Sequence, residues 1–434
     1  MFELNEIKKK KVLVFPGGTE IGLEIWKSLR YCKDITIYSA GSDVSNHASY
    51  VFQNHFIVPD VHSNNWSNIL SEIINKYEID YIIPAHDDVI VALANNIDKF
   101  NAKIISSPPS TCYITRSKSK TYNKFKNLIP IPKVFKLSEV ASFPVFVKPD
   151  EGQGSQGAYK VDDLDTLKAL LKNNSNLIIL EYLSGKEYTI DCFTDRIKGL
   201  LFCNGRERIR VRSGISMNSK PMDDKKNKIF KKYAKIISQK LEFHGAWFFQ
   251  LKSNSLGTLK LLEIAPRISG TMATYRVTGI NFPLLSIYES DGYEINVMTN
   301  IYDVEIDRAL MNRYKHNIEY NKVYVDLDDT LIFNNKVNTH LIGFLFQAIN
   351  NGSKVILITK TNKNIEHILK KWRLADIFDE IIVLNKDQSK ADFINPNGAI
   401  FIDDSFSERK SVFHKHKIPT FDCSMIELLI DERI

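Results

Sequence analysis

Short β-branched runs alternate with amphipathic stretches near the start of the chain, and this alternation constrains the fold more than any other feature. "KVLVF", "DITIYSA", "HFIVP" and "DYIIPA" have the composition of buried strands, while "TEIGLEIWKSL" and "WSNILSEIINKY" have helical spacing. Strands separated by such helices form βαβ units on a parallel sheet. The pattern stops at "SSPPS", residues 106–110, and resumes after the polar stretch near 300–320. We therefore predict an α/β multidomain protein with domains at residues 1–108, 109–300 and 318–434.

Composition and charge exclude several classes of protein. The net charge of +7 comes from 58 basic and 51 acidic residues, a small imbalance for 434 residues, so no nucleic-acid partner is predicted. The five cysteines are odd in number and lack CxxC spacing, which argues against a disulfide framework and a zinc site. No apolar run approaches the roughly eighteen residues that span a bilayer. We expect a cytoplasmic protein with no membrane partner.

Two stretches of the first segment allow a functional and a structural interpretation. "FPGGTEIG" lies between a strand and a helix, but its glycines miss the GxGxxG spacing of a dinucleotide site, and Ser39 follows the next strand where an acidic residue would hold a ribose. A tight turn that packs helix on sheet is the favoured interpretation. "AHDD" ends in Asp87 and Asp88, which could line a cleft or could complement a helix N-terminus.

The middle segment carries residues suited to a nucleotide. "FPVFVKPDEGQGSQGAYKV" is a strand ending at Lys148, a loop with three glycines, and a second strand. Backbone amides of such a loop can approach phosphate oxygens because no Cβ intervenes, and a lysine adds a full positive charge. Lys118 stands upstream, and "LIILEYLSGKEYTID" opens from an apolar strand onto Glu181 and Glu187. A hinge with exposed backbone groups and an acid suits an adenine and its ribose.

A long hairpin in the same segment predicts a metal site. In "GAWFFQLKSNSLGTLKLLEIAPRISGT" two strands place Gln250 opposite Glu263, and Arg267 comes just after the second strand. Oxygen ligands on adjacent strands suit Mg²⁺ that carries substrate phosphates, and an arginine beside them suits the charge of a transferring phosphoryl group.

In this order, these stretches resemble the ATP-grasp superfamily, in particular its carbamoyl-phosphate-synthase-like and carboxylate–amine ligase members. The resemblance covers residues 1 to about 298 and implies a Rossmann-like pre-ATP-grasp domain followed by an ATP-grasp α+β domain. It implies that Gln250 and Glu263 bind Mg²⁺, or Mn²⁺ in its place, and that Arg267 stabilises phosphoryl transfer. The ATP-binding residues that it implies are Lys118, Lys148, Gly152, Gly154, Ser155, Gly157, Glu181, Leu183 and Glu187.

One position departs from the family pattern. The family commonly has Glu-x-Asn on the last metal strand, and here Ala265 stands where the Asn would coordinate. An ATP-grasp module that binds nucleotide without turning it over therefore stays open beside an active ligase. The ligase chemistry implied is phosphorylation of a carboxylate to an acyl phosphate, followed by attack of an amine. The resemblance is also compatible with a homodimer.

Four arginines alternate in "GRERIRVRSG", and on a strand all four would point to one face. Such a stripe could bind a substrate carboxylate or phosphate through bidentate pairs, or it could be a solvated strand. We predict substrate binding by Arg208 and Arg210, in the middle of the run.

The last segment has a separate chemistry. "VYVDLDDTLI" is a buried strand that leads into a D-x-D-x-T motif, and it resembles motif one of the haloacid dehalogenase (HAD) phosphatases. The remaining motifs follow other predicted strands, as "KVILITK", "DQSKADFI" and "AIFIDDS". The resemblance implies a nucleophile at Asp326, a general acid and base at Asp328, and phosphoryl binding by Thr359 and by Lys390. Lys390 is predicted to open a helix, "KADFI", as the lysine of that family does. Asp326, the backbone carbonyl of Asp328 and Asp403 would bind Mg²⁺.

Spacing excludes a large lid over this last site. Between Thr330 and Thr359 there is room for one helix and one strand, and the same holds between Thr359 and Lys390. We predict a HAD-like Rossmannoid domain without a large cap, open to large substrates. The whole chain is predicted to be a bifunctional enzyme that acts on small-molecule carboxylates and amines, one of them phosphorylated. A phosphatase with an inactive nucleotide module and a non-catalytic scaffold are the alternatives.

Overall fold

The computed structural model describes residues 9–300 and 302–433. These residues form two compact units, of which the first ends at Leu310 and the second is Met311–Arg433. Residues 1–8 of the first predicted domain and residue 434 of the third lie outside the described residues. In the described part of the chain, every helix is too short or too polar to cross a membrane.

The first unit begins with a parallel sheet of order β3-β2-β1-β4-β5, as the βαβ pattern predicts. Successive residues of β1 belong to different cores: Val12 and Val14 pack with α1, and Leu13 and Phe15 pack with α3. The sheet is therefore covered on both faces, as parallel sheets usually are. The elements are β1 (Lys10–Phe15), α1 (Glu20–Leu29), β2 (Ile35–Gly41), α2 (Ala48–Val51), β3 (His55–Ile57), α3 (Trp66–Tyr77), β4 (Tyr81–Pro84), α4 (Asp87–Asn95) and β5 (Lys103–Ile104).

A small antiparallel sheet of order β6-β9-β7-β8 comes next. Two short helices precede it, and α7 covers one of its faces through the buried Leu167. Its inner strand β7 contains the predicted phosphate-binding lysine, Lys148, one residue before its end at Pro149. The elements are α5 (Pro109–Arg116), α6 (Lys118–Phe125), β6 (Val134–Phe135), β7 (Val145–Pro149), β8 (Tyr159–Val161), α7 (Leu164–Asn173) and β9 (Leu177–Glu181).

A six-stranded antiparallel sheet of order β14-β13-β10-β11-β12-β15 completes the first unit. Helix α8 packs closely on β11, where a Cβ on Gly205 would lie 2.3 Å from the ring of Phe230. A side chain at Gly205 would thus displace the helix. The elements are β10 (Glu187–Asp195), β11 (Gly199–Arg212), β12 (Ile215–Pro221), α8 (Asp224–Lys240), β13 (Gly245–Ser253), β14 (Leu259–Ala265), α9 (Ala273–Arg276), α10 (Phe282–Ser290) and β15 (Ile306–Asp307).

The second unit is built on a five-stranded parallel sheet of order β20-β19-β16-β21-β22. Side chains of its central strand β16 again pack into two cores. Val323 and Val325 lie on the side of α11, and Tyr324 lies on the side of α13. The elements are β16 (Lys322–Val325), β17 (Ile332–Phe333), β18 (Lys336–Val337), α11 (Thr339–Asn350), β19 (Lys354–Lys360), α12 (Ile365–Trp372), β20 (Glu380–Leu384), β21 (Ala399–Ile402), α13 (Phe406–His416) and β22 (Thr420–Phe421).

Two local features of the second unit differ from the sequence expectation. After Thr330 the chain forms the small β17–β18 hairpin, which the spacing argument did not predict. The predicted helix at Lys390 is a single 3₁₀ turn, Lys390–Asp392. The proline of "INPNG" soon after this turn opposes a longer helix, because proline lacks the amide that a helix interior requires.

Candidate functional site

The glycine-rich loop and two lysines line one cavity of the first unit. Lys118, Lys148, Gly152, Gly154, Ser155, Glu181, Leu183 and Glu187 all line it, and Gly157 belongs to the same loop without lining the cavity. Gly154, Ser155 and Gly157 have positive φ angles, which the loop adopts as it turns back toward β8. The sequence-predicted nucleotide residues are therefore brought together by the fold, with the single exception of Gly157.

Both lysines are buried, and burial lowers the pKa of each ammonium group. Burial lowers the pKa of Lys148 to about 8, against the opposing effect of Glu263 and other acids. Burial and the proximity of Lys148 lower the pKa of Lys118. The Lys118 ammonium donates to the backbone oxygens of Asp150 and Gly152, at 3.1 and 3.3 Å, so it fastens the start of the loop. A phosphate would restore the charge that burial disfavours.

The loop is held on two sides by neighbouring elements. The side-chain oxygen of Gln153 accepts a hydrogen bond of 2.9 Å from the backbone amide of Asp87, at the N-terminus of α4. On the other side the β11–β12 turn approaches so closely that a Cβ on Gly214 would lie 2.4 Å from the backbone of Gly154. The loop therefore lies over the cavity rather than projecting away from it.

The far end of the cavity contains Glu181, Leu183 and Glu187. Leu183 is buried, and the Glu181 carboxylate accepts from the backbone amide of Lys133 at 3.1 Å and pairs with Lys260 at 3.0 Å. Glu187 pairs with Arg208 at 2.6 Å. This end combines an apolar wall with fixed acids, as an adenine and a ribose require.

Gln250 and Glu263 are direct cross-strand partners in the β13–β14 ladder, as the hairpin predicts, and both line the cavity. The Gln250 side-chain oxygen accepts from Arg208 at 2.9 Å. Among the described residues, the Glu263 carboxylate has neither a hydrogen bond nor an ion pair. Two oxygen donors on facing positions, one of them an unpaired carboxylate, fit one divalent cation. Ala265 supplies no third oxygen from the same strand.

Arg267 lies in an adjoining cavity, together with Gln250 and Glu263. Its guanidinium makes a two-pronged ion pair with Asp87, at 2.5 and 3.1 Å. Burial alone would raise the pKa of Asp87, but Arg267 holds it below its usual value. Both interpretations of "AHDD" apply, because Asp87 and Asp88 lie in the first turn of α4 while Asp87 also reaches the cleft through Arg267.

The arginine stripe does not present one common face, because two register shifts interrupt β11 between Arg208 and Val211. Arg206 is buried and pairs with Asp191 at 2.8 Å. Arg208 lines both cavities, in keeping with its predicted place near substrate. Arg210 departs from the prediction: its side chain is 56% exposed, pairs with Asp307 and lines neither cavity.

The adjoining cavity contains charged residues that the motif analysis did not single out. Arg308 lines it from the end of β15, and its Nη1 atom is buried without a hydrogen-bond partner among the described residues. Asp87 and Asp191 each neutralise an arginine of the lining. An acid near a predicted strand end was a visible signal for Asp87. Arg308 follows an irregular stretch, and the sequence gives no motif that could have identified it.

In the second unit, three carboxylates converge at the carboxyl edge of the parallel sheet. Oxygens of Asp326, Asp403 and Asp404 lie within 4.8 Å of one another. Lys390 donates to Asp326 at 2.6 Å and to Asp403 at 2.7 Å. The donor set fits a hard divalent cation. Asp404 is an acid of this cluster that the predicted metal set did not include.

Burial and mutual repulsion govern the protonation of this cluster. Burial, with a further contribution from Asp403, raises the pKa of Asp326 to about 6, although Lys390 opposes both effects. The two carboxylates raise the pKa of Lys390 even though its burial would lower it. Thr359 is buried at the end of β19, and Asp328 is exposed beside the cluster. The predicted nucleophile thus shares a buried site with a lysine, while the predicted acid and base faces solvent.

Two family models match segments of the first unit. Residues 173–309 match "ATP-grasp in the biosynthetic pathway with Ter operon". Residues 18–106 match "PylC-like, N-terminal domain". These segments contain four of the five strands of the parallel sheet, β2 to β5, and the whole six-stranded sheet. The first unit therefore has an α/β ATP-grasp fold with an N-terminal α/β domain, as the sequence resemblance predicted.

Known proteins give the same fold. A D-alanine–D-alanine ligase of Acetivibrio thermocellus is 29% identical over 110 residues, which are 24% of this chain and 27% of that relative's length. The biotin carboxylase domain of Hydrogenobacter thermophilus 2-oxoglutarate carboxylase, solved with MgADP and bicarbonate, has a TM-score of 0.58 at 13% identity, over 67% of this chain and 71% of that one. An L-amino acid ligase of Bacillus licheniformis has a TM-score of 0.53 at 15% identity, over 64% and 73%.

The buried Asp191–Arg206 ion pair should be essential for the first unit. Replacing Asp191 with Asn leaves the Arg206 charge buried without its counter-ion, so we expect the free energy of unfolding to fall by about 3–5 kcal/mol. Urea denaturation followed by far-ultraviolet circular dichroism measures the change. The matched control is Asp162→Asn, since Asp162 pairs with Lys160 on the surface, 64% exposed, and should lose little. Equal losses in the two variants would contradict the assignment.

Proposed function

We propose that the first unit of this chain is an ATP-grasp carboxylate–amine ligase, which joins a carboxylate to an amine and converts ATP to ADP and phosphate. The matches to an ATP-grasp family model, a PylC-like N-terminal domain and a D-alanine–D-alanine ligase support it. The observation that carries the proposal is the pairing of Gln250 with Glu263 inside the cavity that the glycine loop and both lysines line. Phosphate-binding cations, metal-binding oxygens and an apolar nucleotide wall are thus combined in one place.

The residues of the cavity divide the reaction between them. Lys118 and Lys148 bind the ATP phosphates, and the loop from Gly152 to Gly157 excludes water from above. A substrate carboxylate oxygen attacks the γ-phosphorus, and ADP departs. Arg267, oriented by Asp87, stabilises the charge on the transferring group. The amine nitrogen then attacks the acyl carbon, phosphate leaves, and the nitrogen loses a proton as the amide forms.

A divalent cation fits this site through Gln250 and Glu263. Mg²⁺, or Mn²⁺, would neutralise the charge of the ATP phosphates when bound there. Ala265 leaves one position of the metal shell to water or to ATP oxygens. The unpaired carboxylate of Glu263 supports an active site rather than a nucleotide-sensing one, because an unpaired, partly buried acid stabilises nothing by itself.

We propose a second activity for the second unit, Mg²⁺-dependent hydrolysis of a phosphomonoester. The observation that favours it is the cluster of Asp326, Asp403 and Asp404 around Lys390 at the carboxyl edge of a parallel sheet. Asp326 attacks the phosphorus and becomes a phospho-aspartate, while the exposed Asp328 protonates the departing alcohol. Asp328 then takes a proton from the water that releases phosphate, and Thr359 and Lys390 bind the phosphoryl oxygens.

Together the two activities suit a coupling in which one ligation partner carries a phosphate that the second unit removes from the substrate or the product. The substrates would be a small-molecule carboxylate and an amine. The small β17–β18 hairpin, with two residues in each strand, is consistent with an open phosphatase site that admits a large product.

The ligase is tested by ADP formation in the full-length Asp326→Asn protein, which keeps any phosphate on the product. Pools of carboxylic acids are paired with amino acids and their phosphorylated analogues, in the presence of Mg²⁺. We expect ADP and an amide, detected by mass spectrometry, with at least one pair. Adding Glu263→Gln should lower the rate about a hundredfold or more, because it removes the charged metal ligand. The control substitution Glu207→Gln should leave the rate unchanged, because Glu207 lines neither cavity. ATP binding without ADP from any pair would favour the nucleotide-sensing module.

ATP affinity should weaken as the pH rises through about 8. Lys148 has a lowered pKa of about 8 in the free protein, so it is charged below that pH and loses its proton above it. Phosphate binding favours the charged form, and the dissociation constant should therefore rise up to about tenfold per pH unit above pH 8. Calorimetric titration with ATP and Mg²⁺ between pH 7 and 9 measures this slope. Lys148→Arg should flatten the profile, since arginine stays charged. An unchanged slope in that variant would assign the titration to another group.

The phosphatase is tested with a general phosphomonoester, p-nitrophenyl phosphate, and Mg²⁺. Asp326→Asn should abolish release of nitrophenol, because an amide cannot form the phospho-enzyme, and Lys390→Gln should lower it about a hundredfold or more. Asp376→Asn is the matched control, an exposed acid of the same unit, and should behave as the native protein. Equal hydrolysis by the native and Asp326→Asn proteins would disprove the proposal.

A further inference from the structure

The adjoining cavity described above, from here on the second cavity of the first unit, has four arginines in its lining. Carboxylates neutralise three of them. Arg206 pairs with Asp191, Arg208 with Glu187, and Arg267 with Asp87. A guanidinium that is paired with a buried carboxylate adds little net attraction for a further anion. The fourth arginine, Arg308, has no ion pair among the described residues, and the same is true of two acids of the lining, Glu20 and Glu263.

Arg308 makes no ion pair among the described residues. The acids of helix α1 stabilise its positive charge only weakly. The two glutamates that stabilise its charge from a distance are Glu20 and Glu24 of α1. Glu24 is hydrogen-bonded to Arg276 at 2.8 Å, and Glu20 is exposed. Burial lowers the pKa of Arg308, and the neighbouring Arg206 lowers it as well. Its charge is thus less stabilised than that of an ordinary arginine.

The position of Arg308 is fixed although its charge is not balanced. The short strand β15 pairs with β12, and the Arg308 backbone amide extends that pairing by donating to the Met217 carbonyl at 2.8 Å. The side chain then lies above Gly270, where a Cβ would be 3.9 Å from the buried Nη1 atom. A buried N–H donor without an acceptor is costly, and proteins retain one where a ligand completes it.

The same cavity contains the reaction centre of the proposed ligase. Gln250, Glu263 and Arg267 line it together with Arg308 and the hydroxyl-bearing segment Ser269 to Thr271. An anion held by Arg308 would therefore belong to a molecule whose other end can reach the transferring phosphoryl group. The nucleotide already has its own cations, Lys118 and Lys148, in the first cavity. An anion at Arg308 would therefore belong to a substrate other than the nucleotide, bound in the second cavity.

We propose that Arg308 binds a second anionic group, a carboxylate or a phosphate, on a substrate of the first unit, so that the substrate is at least dianionic. This inference rests on the proposed ligase function. It gives Arg308 the substrate-binding role that the sequence pattern suggested for Arg210. Selectivity follows from the unpaired donor: an analogue without the second anion leaves Nη1 buried and unsatisfied, and a site of this kind rejects such analogues strongly.

The test is calorimetric binding to the full-length Asp326→Asn protein in the presence of Mg²⁺ and ADP. The probes are two matched pairs, succinate with butyrate and phosphoglycolate with glycolate, which separate a carboxylate from a phosphate as the second anion. We expect one dianion to bind at least tenfold more tightly than its partner. Arg308→Gln should remove that preference by weakening the dianion about tenfold to a hundredfold, with the monoanion unchanged. Arg308→Lys, which keeps the charge, should retain part of it and guards against misfolding of the glutamine variant.

Lys232→Gln is the control, because it removes one positive charge from an exposed face of α8 and should leave the preference intact. Equal binding of both members in both pairs, or a preference that survives in Arg308→Gln, overturns the inference. Dianion binding that depends on Arg308 supports it even if no acid–amine pair yields ADP, in which case the ligase proposal alone fails. ADP formation with a preference that does not depend on Arg308 leaves the ligase and removes this role for Arg308.

Discussion

The buried ion pair between Asp191 and Arg206 is the interaction on which the first unit depends. It joins β10 to β11 at the centre of the six-stranded sheet, and Ser269 ties the pair to the segment after β14, through hydrogen bonds of 2.5 Å to Asp191 and 3.0 Å from Arg206. That segment also contains Arg267. The pair therefore fixes the wall of the second cavity, and breaking it would leave a charge where water cannot solvate it.

Charge is distributed between the two cavities by the same principle of pairing. Lys118 and Lys148 have lowered pKa values because they are buried, so the first cavity gains stability when phosphates enter. Glu263 faces both lysines without a direct partner, which leaves it available to a cation. In the second cavity three arginines are fixed by ion pairs with acids, while Arg308 has a donor atom free to bind an anion. Two of the buried side-chain atoms without a hydrogen-bond partner among the described residues, Nη1 of Arg308 and Nε of Arg208, thus belong to residues that line the second cavity.

The sequence was sufficient for features that depend on local periodicity. The opposition of Gln250 and Glu263 follows from a hairpin with alternating side chains, and Lys148 at a strand end follows from the glycine loop behind it. Long-range pairs were beyond it: Asp87 and Arg267 are 180 positions apart, and no spacing rule connects them. Arg210 lies away from both cavities because the bulges in β11 break the alternation that the prediction assumed. Arg308 is defined by a missing partner, which only three-dimensional packing reveals.

The identity of the anion at Arg308 bears on the order of the two proposed reactions. If the anion is a phosphate, its removal before ligation would deprive Arg308 of its partner and leave a buried donor unsatisfied, so the dephosphorylated substrate would bind poorly. Ligation would then have to precede hydrolysis. Loss of the phosphate afterwards would also weaken the hold of the first unit on its product and favour release. If the anion is a carboxylate, this constraint disappears, and the phosphoryl group that Asp326 attacks must lie on a part of the substrate that Arg308 does not contact.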